Sequence, residues 1–376
     1  MNGAAAPTRL DHVPLEDIES ELRALWRGLS ESEPSEGRPA ITRVVSMNLV
    51  ILAGTESDAD RALELSVQIA GRHPSRVILV RSRAGADDVS ASISILCHGV
   101  AGDRQVCSEQ IHLVTAGHAA LRIAQHVAPL FVADVPVVLW LPNHPLVLPV
   151  DEDLLALADR IVVDARAFPE AEAALDKLST WMESRRAVVD LAWLRLERWR
   201  ALTAQFFGEA EARQDLDTIE KIEVRYRTSA EGTPEGRVEG LYYLAWLMGR
   251  LGGRWEHAAS REGGAEGEHF VAVRANDKKV EMSLVATARP TQARGDLAGV
   301  KLVCDDGRCH YEIARVAELD VAEVRVRASR ACPEPMRVGF PTRDPLELLS
   351  LAVGGAPDDP LYEQALRGAR ALAEGH

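Results

Sequence analysis

The residues best placed for chemistry are an amide and an imidazole, Asn143 and His144, in the short segment 142–145. They directly follow residues 135–141, an apolar run rich in Val and Leu that is typical of a strand buried on both faces of a parallel sheet. In α/β enzymes, ligands and catalytic side chains gather just after such strands. This segment offers no nucleophile, no paired carboxylates and no glycine loop. The combination favours a protein that acts on another protein, and it predicts no catalytic residue.

A dinucleotide site is not expected at the first strand-to-helix turn. Residues 53–58 read AGTESD and contain one glycine, Gly54. A dinucleotide-binding turn needs the spacing G-x-G-x-x-G, which brings the backbone close to a pyrophosphate. We therefore predict that the chain binds no NAD(P) and no other cofactor. The N-terminus of the following helix leaves a minor alternative, an anion held by backbone N–H groups.

The remaining histidines and cysteines do not form a metal or nucleophile motif. His112, His118 and His126 are separated by six and eight residues, which suits no metal site on one helix face. The patterns H-E-x-x-H, C-x-x-C and G-x-S-x-G do not occur. Cys107 precedes Glu109 by two residues, but no histidine is linked to them by spacing. Cys107 is therefore expected to be a half-buried strand residue.

One pair of cysteines has a geometric argument behind it. Cys304 and Cys309 flank the loop DDGR, whose Asp-Gly step is typical of a hairpin turn. If the flanking strands pair, the two thiols oppose each other within reach of a disulfide. Cys304 and Cys309 are therefore a candidate redox pair, and two packed thiols are the alternative.

The densest aromatic cluster, residues 190–208, is the main candidate for contact with a partner. Its apolar residues recur at helical spacing, and arginines alternate with them. Trp and Arg dominate binding hot spots, so the segment predicts an interface. The alternative is a helix core whose arginine stems pack along the surface. The candidate partner-binding residues, of which the last two are secondary, are Trp193, Arg195, Trp199, Arg200, Trp140 and His144.

Composition and charge limit the class of protein. The 376 residues, 47% of them hydrophobic, suffice for about two domains. A net charge of −14 without a basic block makes nucleic acid and anionic membranes poor partners. No apolar run approaches the roughly 20 residues of a membrane span, and the N-terminus does not resemble a secretory signal. Five cysteines at irregular spacing do not indicate a disulfide scaffold, so a cytoplasmic location is expected.

The first half of the chain must position the segment 142–145. Residues 1–40 are expected to form an amphipathic helix at 14–29 and a flexible polar linker. The helix is expected to pack on the next domain, and the alternative is that it docks a partner. Residues 41–168 alternate strands with helices at 57–71 and 117–131 and include a βαβ unit at 44–81. This alternation predicts an α/β domain with a layered, largely parallel sheet and flanking helices.

The second half of the chain carries the aromatic cluster and a different pattern. In residues 169–345, two helices and the cluster precede strand-like stretches at 269–275, 280–289, 299–304, 309–316 and 323–329. This order predicts an α+β domain with an antiparallel sheet. Residues 346–376 are expected to form a helical tail, interrupted by a Gly-Gly-Ala-Pro break.

Eight short segments occur in a fixed order along the chain. The segments are MNLV at 47–50, HPSRVILV at 73–80, SEQI at 108–111, DVPVVLWLP at 134–142, LADRIVVDAR at 157–166, DLAWLRLERWR at 190–200, LAWLMGRLG at 244–252 and DPLYEQAL at 359–366. Together they resemble the glucose-6-phosphate dehydrogenase assembly protein (OpcA) family, and the similarity extends from about residue 13 to residue 370.

The resemblance implies a bacterial, cytoplasmic and non-catalytic protein. Its partner would be glucose-6-phosphate dehydrogenase, whose active oligomer it would promote as an allosteric activator at the entry to the oxidative pentose phosphate pathway. NADP and glucose 6-phosphate would then belong to the partner. Two alternatives remain: a regulatory protein that senses a sugar phosphate without catalysis, and an enzyme with an unrecognised site.

Overall fold

A computed structural model describes residues 8–31, 40–100, 104–143, 150, 152–184, 186–228, 236–255, 267–274, 276–288, 297–316, 319–327, 335–355 and 359–374. The chain divides into two compact units. The first unit consists of Met1–Phe168, Arg185–Asp190 and Pro345–Pro357. The second consists of Pro169–Ser184, Leu191–Asp344 and Asp358–His376.

The α-helices and β-strands are numbered along the chain. The helices are α1 Ile18–Glu31, α2 Glu56–Ala70, α3 Ile123–Val127, α4 Glu152–Leu157, α5 Ala171–Glu183, α6 Leu191–Arg195, α7 Glu197–Phe206, α8 Ala210–Asp215, α9 Arg237–Arg250, α10 Pro345–Gly354 and α11 Pro360–Glu374. The strands are β1 Thr8–Val13, β2 Ala40–Arg43, β3 Met47–Ala53, β4 Ser75–Arg83, β5 Asp88–Val100, β6 Arg104–Ala116, β7 Val137–Leu141, β8 Arg160–Val163, β9 Ala187–Asp190, β10 Ile219–Thr228, β11 Arg254–Trp255, β12 Glu268–Val273, β13 Lys279–Ala288, β14 Leu297–Cys304, β15 Cys309–Arg315, β16 Val321–Arg327 and β17 Met336–Gly339.

The first unit contains a nine-stranded, mostly parallel sheet, which confirms the expected parallel sheet. Its order is β1-β5-β6-β4-β3-β7-β8-β9, with β2 beside β6. From β6 to β9 in this order the strands are parallel, whereas β5 pairs antiparallel with β6 and β1 pairs antiparallel with β5. Numbered along the chain, these parallel strands have the order 3-2-1-4-5-6 of dinucleotide-binding doubly wound folds. Such folds bind ligands where the order reverses, which here is between β3 and β7.

Central strands of this sheet are buried along their whole length. Every residue of β3 (MNLVILA) and of β7 (VVLWL) is buried. A strand that is covered on both faces has a continuous apolar sequence, without alternation of apolar and polar residues. This is why β7 could be predicted from the sequence.

Helix α1 packs on the first unit, in agreement with its role as an arm. Ile18 and Leu22 are 0% and 1% exposed. The indole Nε1 of Trp26 donates a hydrogen bond of 2.6 Å to Glu109 Oε1 on β6. Strand β1, which precedes α1, was not predicted from the sequence. It pairs with β5. Of the expected linker, residues 32–39 lie outside the described residues.

The helix expected at 117–131 is wrong as a single element. The structure has α3 over five residues between two 3₁₀ turns, at Gly117–Leu121 and Ala128–Leu130. The backbone of Arg122, with φ −129° and ψ 41°, separates the first turn from α3. Apolar periodicity therefore identified Ala124 and Val127, which are buried, but it missed this break and Leu121 is 56% exposed.

The second unit contains an eight-stranded sheet, which confirms the expected antiparallel sheet. Its order is β11-β12-β13-β10-β14-β15-β16-β17, and the pair β10–β13 is parallel while the other pairs are antiparallel. Helix α9 is buried on all sides from Arg237 to Met248. A helix that is apolar around its circumference is central to a core. Arg237 is tolerated there because it forms a two-pronged pair with Glu268, at 2.7 and 2.8 Å.

The C-terminal helices are divided between the two units. Helix α10 groups with the first unit and α11 with the second. Strand β9, which the sequence did not reveal, likewise groups with the first unit. In the first unit, Arg160 at the start of β8 donates to the carbonyls of Ala352 and Val353 at the end of α10. These carbonyls are the orphan acceptors of a helix C-terminus, so the arginine acts as a cap.

Candidate functional site

The carboxyl edge of β3 and β7 is the position where a doubly wound fold would hold a dinucleotide. Helix α2 begins at Glu56, and the hydroxyl of Thr55 caps its first turn. The N–H of Gly54 donates to Asn143 Oδ1 at 3.4 Å. The structure thus brings Asn143 to the switch point, as the sequence predicts, and places its amide against the turn after β3.

Negative charge occupies the helix N-terminus at this edge. Such a terminus attracts an anion, and Glu56 in the first turn of α2 supplies one itself. Its Oε1 accepts a hydrogen bond of 2.7 Å from Arg81 Nη1 on β4. Glu56 is 79% exposed, so this ion pair is weak. A carboxylate here repels the phosphates of a dinucleotide, and the turn has one glycine where the dinucleotide motif has more.

The two secondary candidates for partner contact have different positions. Trp140 is buried in β7, at 4% exposure, with Ile51 and Val162 as its cross-strand partners. It belongs to the core of the first sheet. His144 lies outside the described residues.

Trp193 lies at the centre of an aromatic cluster inside the second unit. Its ring centroid is 6.2 Å from that of Tyr242 and 5.8 Å from that of Tyr362. Its Nε1 donates a hydrogen bond of 2.7 Å to Asp359 Oδ2. The guanidinium of Arg200 lies 3.6 Å from the ring centroid, a cation–π contact. Burial lowers the pKa of Arg200 to about 10, against the opposing effect of Asp359.

Trp199 is also buried, at 3% exposure, and packs edge-on against Phe340 with 5.0 Å between ring centroids. The burial of Trp193 and Trp199 agrees with the alternative that assigns them to the core. Arg195 and Arg200 are partly exposed beside them. The structure therefore brings the four primary candidates together, with the rings inside and the arginines toward the surface.

Cys304 and Cys309 oppose each other at the end of the β14–β15 hairpin, as the sequence predicts. Both are free thiols and both are buried. Burial, assisted by the nearby carboxylate of Asp215, raises the pKa of Cys304 to about 12. A thiol with so high a pKa has little thiolate at neutral pH, which slows exchange.

A different cysteine pair forms a disulfide. Cys97 on β5 and Cys107 on β6 are register partners in the antiparallel hairpin and are bonded to each other. Cys107 lies in a strand, as expected, but the expectation that it is half-buried was wrong, because it is 0% exposed. The two cysteines are ten residues apart in sequence, a spacing that carries no signal until the register of the hairpin is known.

A pocket of about 600 Å³ lies at the opposite, amino edge of the first sheet. His73 lines it, and His73 Nε2 is 2.9 Å from the hydroxyl of Ser350 on α10. Burial and the neighbouring charge of Arg72 lower the pKa of His73. A serine–histidine contact resembles part of a nucleophilic dyad. The described contacts show no third group that orients His73, so the contact is best explained as docking of α10.

The described part of the chain contains neither a candidate metal site nor a candidate membrane-spanning helix. No group of three His, Cys, Asp or Glu side chains there could hold a metal ion. No helix among the described residues is long and apolar enough to span a bilayer.

Comparison with known sequences decides the family. A family profile described as the N-terminal domain of the glucose-6-phosphate dehydrogenase subunit matches residues 66–180. A second profile, described as the C-terminal domain of the same protein, matches residues 186–366. The chain belongs to the OpcA family of glucose-6-phosphate dehydrogenase assembly proteins.

Curated relatives in the OpcA family are distant and longer. A Nostoc punctiforme protein named "Putative OxPP cycle protein OpcA" is 27% identical over 263 residues, 67% of this chain and 53% of that protein. A Synechocystis protein of the same name is 28% identical over 242 residues, 62% of this chain and 49% of that protein. The chain thus spans about half the length of these curated relatives.

A solved structure shares the fold of this OpcA-family chain. Glucose-6-phosphate 1-dehydrogenase of Mycobacterium avium aligns with a TM-score of 0.51 at 11% identity, over 90% of this chain and 91% of that chain. At this identity the likeness establishes a common fold and nothing about activity.

Proposed function

We propose that this chain is a non-catalytic, cytoplasmic assembly factor and allosteric activator of glucose-6-phosphate dehydrogenase that promotes its active oligomer. The family of this chain and its dehydrogenase-like fold support the choice of glucose-6-phosphate dehydrogenase as the partner. The observation that carries the non-catalytic part is the turn after β3, with Gly54 as its one glycine and Glu56 in the first turn of the helix. The fold has the position of a cofactor site, and the turn lacks the groups that hold a cofactor there.

Activation by such a protein has a simple energetic requirement. An activator must bind the active form of its target more tightly than the inactive form. The shift in the target's equilibrium equals that difference in binding free energy and no more. No group of this chain needs to touch the substrate of the dehydrogenase.

The contact surface that we propose is the outer side of α6 and α7. Arg195 and Arg200 are partly exposed there, and arginine is enriched at protein interfaces. The rings of Trp193 and Trp199 lie beneath them and fix the position of the two helices. The tryptophans thus act as supports for the contact, not as the contacting surface.

The deciding experiment measures the rate of the dehydrogenase from the same organism at low glucose 6-phosphate, with increasing amounts of this protein. A saturable rise in rate together with co-elution in size exclusion is expected. Arg195→Ala should weaken the activation, while Arg308→Ala should not, because Arg308 is an exposed residue of the β14–β15 turn. Neither a rise nor co-elution, in reduced and in oxidised buffer, would overturn the proposal.

A further inference from the structure

The sheet of the second unit has one face that is rich in charge. On β10, Ile222 and Val224 are buried on the inner face, and the residues that alternate with them point to the opposite side. Side chains on that side are open to solvent, since Lys221 on β10 is 58% exposed and Arg325 on β16 is 53% exposed. We call this side of β10, β14, β15 and β16 the outer face.

Four charged residues cross the outer face in one row with alternating sign. The strand register places Glu223 beside Lys301, and Lys301 beside Glu312. Glu312 in turn is beside Arg325. Two residues further along the strands, a second row contains, in the same order of strands, Arg225, Gly299, Ala314 and Glu323. The three positive and three negative charges of the two rows cancel.

Ion pairs within the chain leave the lysine in the middle of the first row unused. Arg225 pairs with Glu223 at 3.2 Å and with Glu312 at 2.6 Å. Lys301 lies between these two glutamates in register but forms no ion pair with another described residue. Its ammonium group is therefore available to a carboxylate of a second molecule.

A two-fold axis makes the first row complementary to itself. If the axis runs parallel to the strands, between β14 and β15, then β14 of one copy faces β15 of the other, and β10 faces β16. Lys301 then faces Glu312 of the second copy, and Glu223 faces Arg325. Because a two-fold interface is isologous, each of these contacts occurs twice. An axis perpendicular to the strands would instead oppose like charges, for example Lys301 to Lys301.

The same axis suits the second row and leaves one repulsion at the rim. In the second row Arg225 faces Glu323 of the second copy, and the small residues Gly299 and Ala314 face each other near the axis. At the rim Lys221 faces Arg327. The carboxylate of Glu281, which pairs with Lys221 at 3.0 Å, offsets this repulsion.

The outer face is large enough for a dimer. Together with the adjacent β13, its strands have seven to ten residues each. At about 4.8 Å between strands and about 3.3 Å per residue, these five strands span about 20 Å by 25 Å, or about 1,000 Å² over two copies, which reaches the lower limit of a specific interface.

We propose that the outer face of the second sheet is the interface between two copies of this chain, related by a two-fold axis between β14 and β15. Charged contacts contribute more to specificity than to affinity, so we expect a dimer that dissociates at about 10 µM. The dimer forms without any dehydrogenase and is independent of the function proposed above.

The first test is sedimentation velocity of the full chain between about 1 and 100 µM, a range that brackets the expected dissociation constant. A dimer that grows with concentration is expected. In 1 M NaCl it should dissociate, because the screening length falls to about 3 Å. A monomer over the whole concentration range, or a dimer that 1 M NaCl does not weaken, would overturn the proposal.

A mixture of two variants locates the contact. Lys301→Glu and Glu312→Lys each place like charges across the axis, so each alone should dimerise at least about tenfold more weakly. An equimolar mixture should restore the dimer, because each variant supplies the charge that the other lacks. Mixing cannot repair a contact within one chain. If the folded variants stay monomeric when mixed, the arrangement is wrong.

A second pair of variants and a control complete the test. Glu223→Lys and Arg325→Glu should behave in the same way, separately and mixed. Arg9→Glu is the control, because it makes the same change of charge at a 57% exposed residue of the first unit. Equal weakening by Arg9→Glu would attribute the effect to net charge and contradict the proposal. Circular dichroism verifies that each variant is folded.

Discussion

At the scale of single residues, three polar side chains in the family segments hydrogen-bond to the backbone of the protein. Asn48 exchanges two hydrogen bonds with the backbone of Val132, at 2.8 and 3.0 Å. Asp190 Oδ1 accepts from the N–H of Ala165 at 3.0 Å. Asp359 caps α11 through the N–H groups of Leu361 and Tyr362. These residues are structural clamps that hold the backbone in place.

Glu109 is the clamp whose removal should cost the most. It is 0% exposed and pairs with Arg76, 3% exposed, at 2.6 Å. Arg43 and Trp26 also donate to it, at 2.7 and 2.6 Å. Glu109→Gln would leave the positive charge of Arg76 buried with less negative charge to compensate it. We expect a loss of about 3 kcal/mol in the free energy of unfolding, measured in urea.

The matched control for Glu109 is an exposed ion pair in the same unit. Glu56 pairs with Arg81 at a similar distance, 2.7 Å, but is 79% exposed. Glu56→Gln should change the free energy of unfolding by less than about 0.5 kcal/mol. Similar losses of unfolding free energy in Glu109→Gln and Glu56→Gln would show that burial does not determine the cost of breaking an ion pair.

His112 should make stability depend on pH. Burial, aided by the charges of Arg9 and Arg81, lowers its pKa in the folded protein from 6.5 to about 4. Between these values the unfolded chain binds the extra proton, so stability is complete above pH 6.5 and falls as the pH decreases toward 4. In His112→Gln this part of the decrease should disappear, reducing the loss of stability between pH 7 and pH 5 by about 2 kcal/mol. An unchanged loss in the variant would contradict this explanation.

At the scale of secondary-structure elements, strand register determines which cysteines meet. Hairpin β5–β6 brings Cys97 to Cys107, and hairpin β14–β15 brings Cys304 to Cys309. The first pair is a disulfide and the second is two buried thiols. The redox role of Cys304 and Cys309 stays a prediction.

Reduction should therefore act through the first hairpin. Replacing Cys97 and Cys107 by serine should lower stability by at most about 3 kcal/mol, because the disulfide closes a short loop between strands that are already paired. Dithiothreitol should lower the melting temperature of the unmodified protein and of the Cys304→Ser/Cys309→Ser variant alike. If reduction instead had its main effect through Cys304 and Cys309, they would be the redox pair.

Helices α6 and α7 allow core and surface roles to be separated. Trp199 packs against Phe340 in the interior, so Trp199→Ala should cost about 3 kcal/mol of stability. Arg195 is partly exposed, so Arg195→Ala should leave the melting temperature nearly unchanged while weakening activation of the dehydrogenase. Melting temperature and activation are measured on both variants. A stable Trp199→Ala protein that fails to activate would make the ring itself a contact.

At the scale of the whole molecule, a dehydrogenase-like fold carries a turn without a glycine-rich phosphate motif. The sheet order 3-2-1-4-5-6 is that of cofactor-binding folds, and the fold is shared with a glucose-6-phosphate dehydrogenase. The turn at the switch point carries Glu56 in place of a glycine-rich phosphate loop. A shared fold does not by itself fix the activity, because many widely used folds carry unrelated functions.

The chain alone should therefore not bind NADP⁺. Calorimetric titration of NADP⁺ into the purified protein should give no saturable signal, while the partner dehydrogenase serves as the positive control. The chain should also not oxidise glucose 6-phosphate when assayed without the dehydrogenase. Saturable NADP⁺ binding by the chain would revive the alternative of an enzyme with an unrecognised site.

The sequence predicted the central elements because their signals are local. The continuous apolar run marked β7, and period-two alternation marked the strands of the second sheet. Short edge elements such as β1, β9 and β17 gave no such signal, since few of their residues face a core. The length of α3 was overestimated because 3₁₀ turns flank it, and a 3₁₀ turn spaces its residues nearly as an α-helix does.

The sequence by itself determined the type of sheet in each half of the chain, the family, and the lack of a glycine-rich motif in the turn after β3. Each of these is encoded by residues that are close together in the sequence. Only the tertiary structure decided that Trp193 and Trp199 are interior and that Cys97 bonds Cys107. It also decided that one small pocket of the second unit is lined by Arg195, Arg198, Arg315 and Arg343. Arg195 and Arg343 are far apart along the chain, and their meeting depends on how helix, sheet and connecting segment pack. Such contacts are fixed by strand register and long-range burial, which local periodicity does not encode.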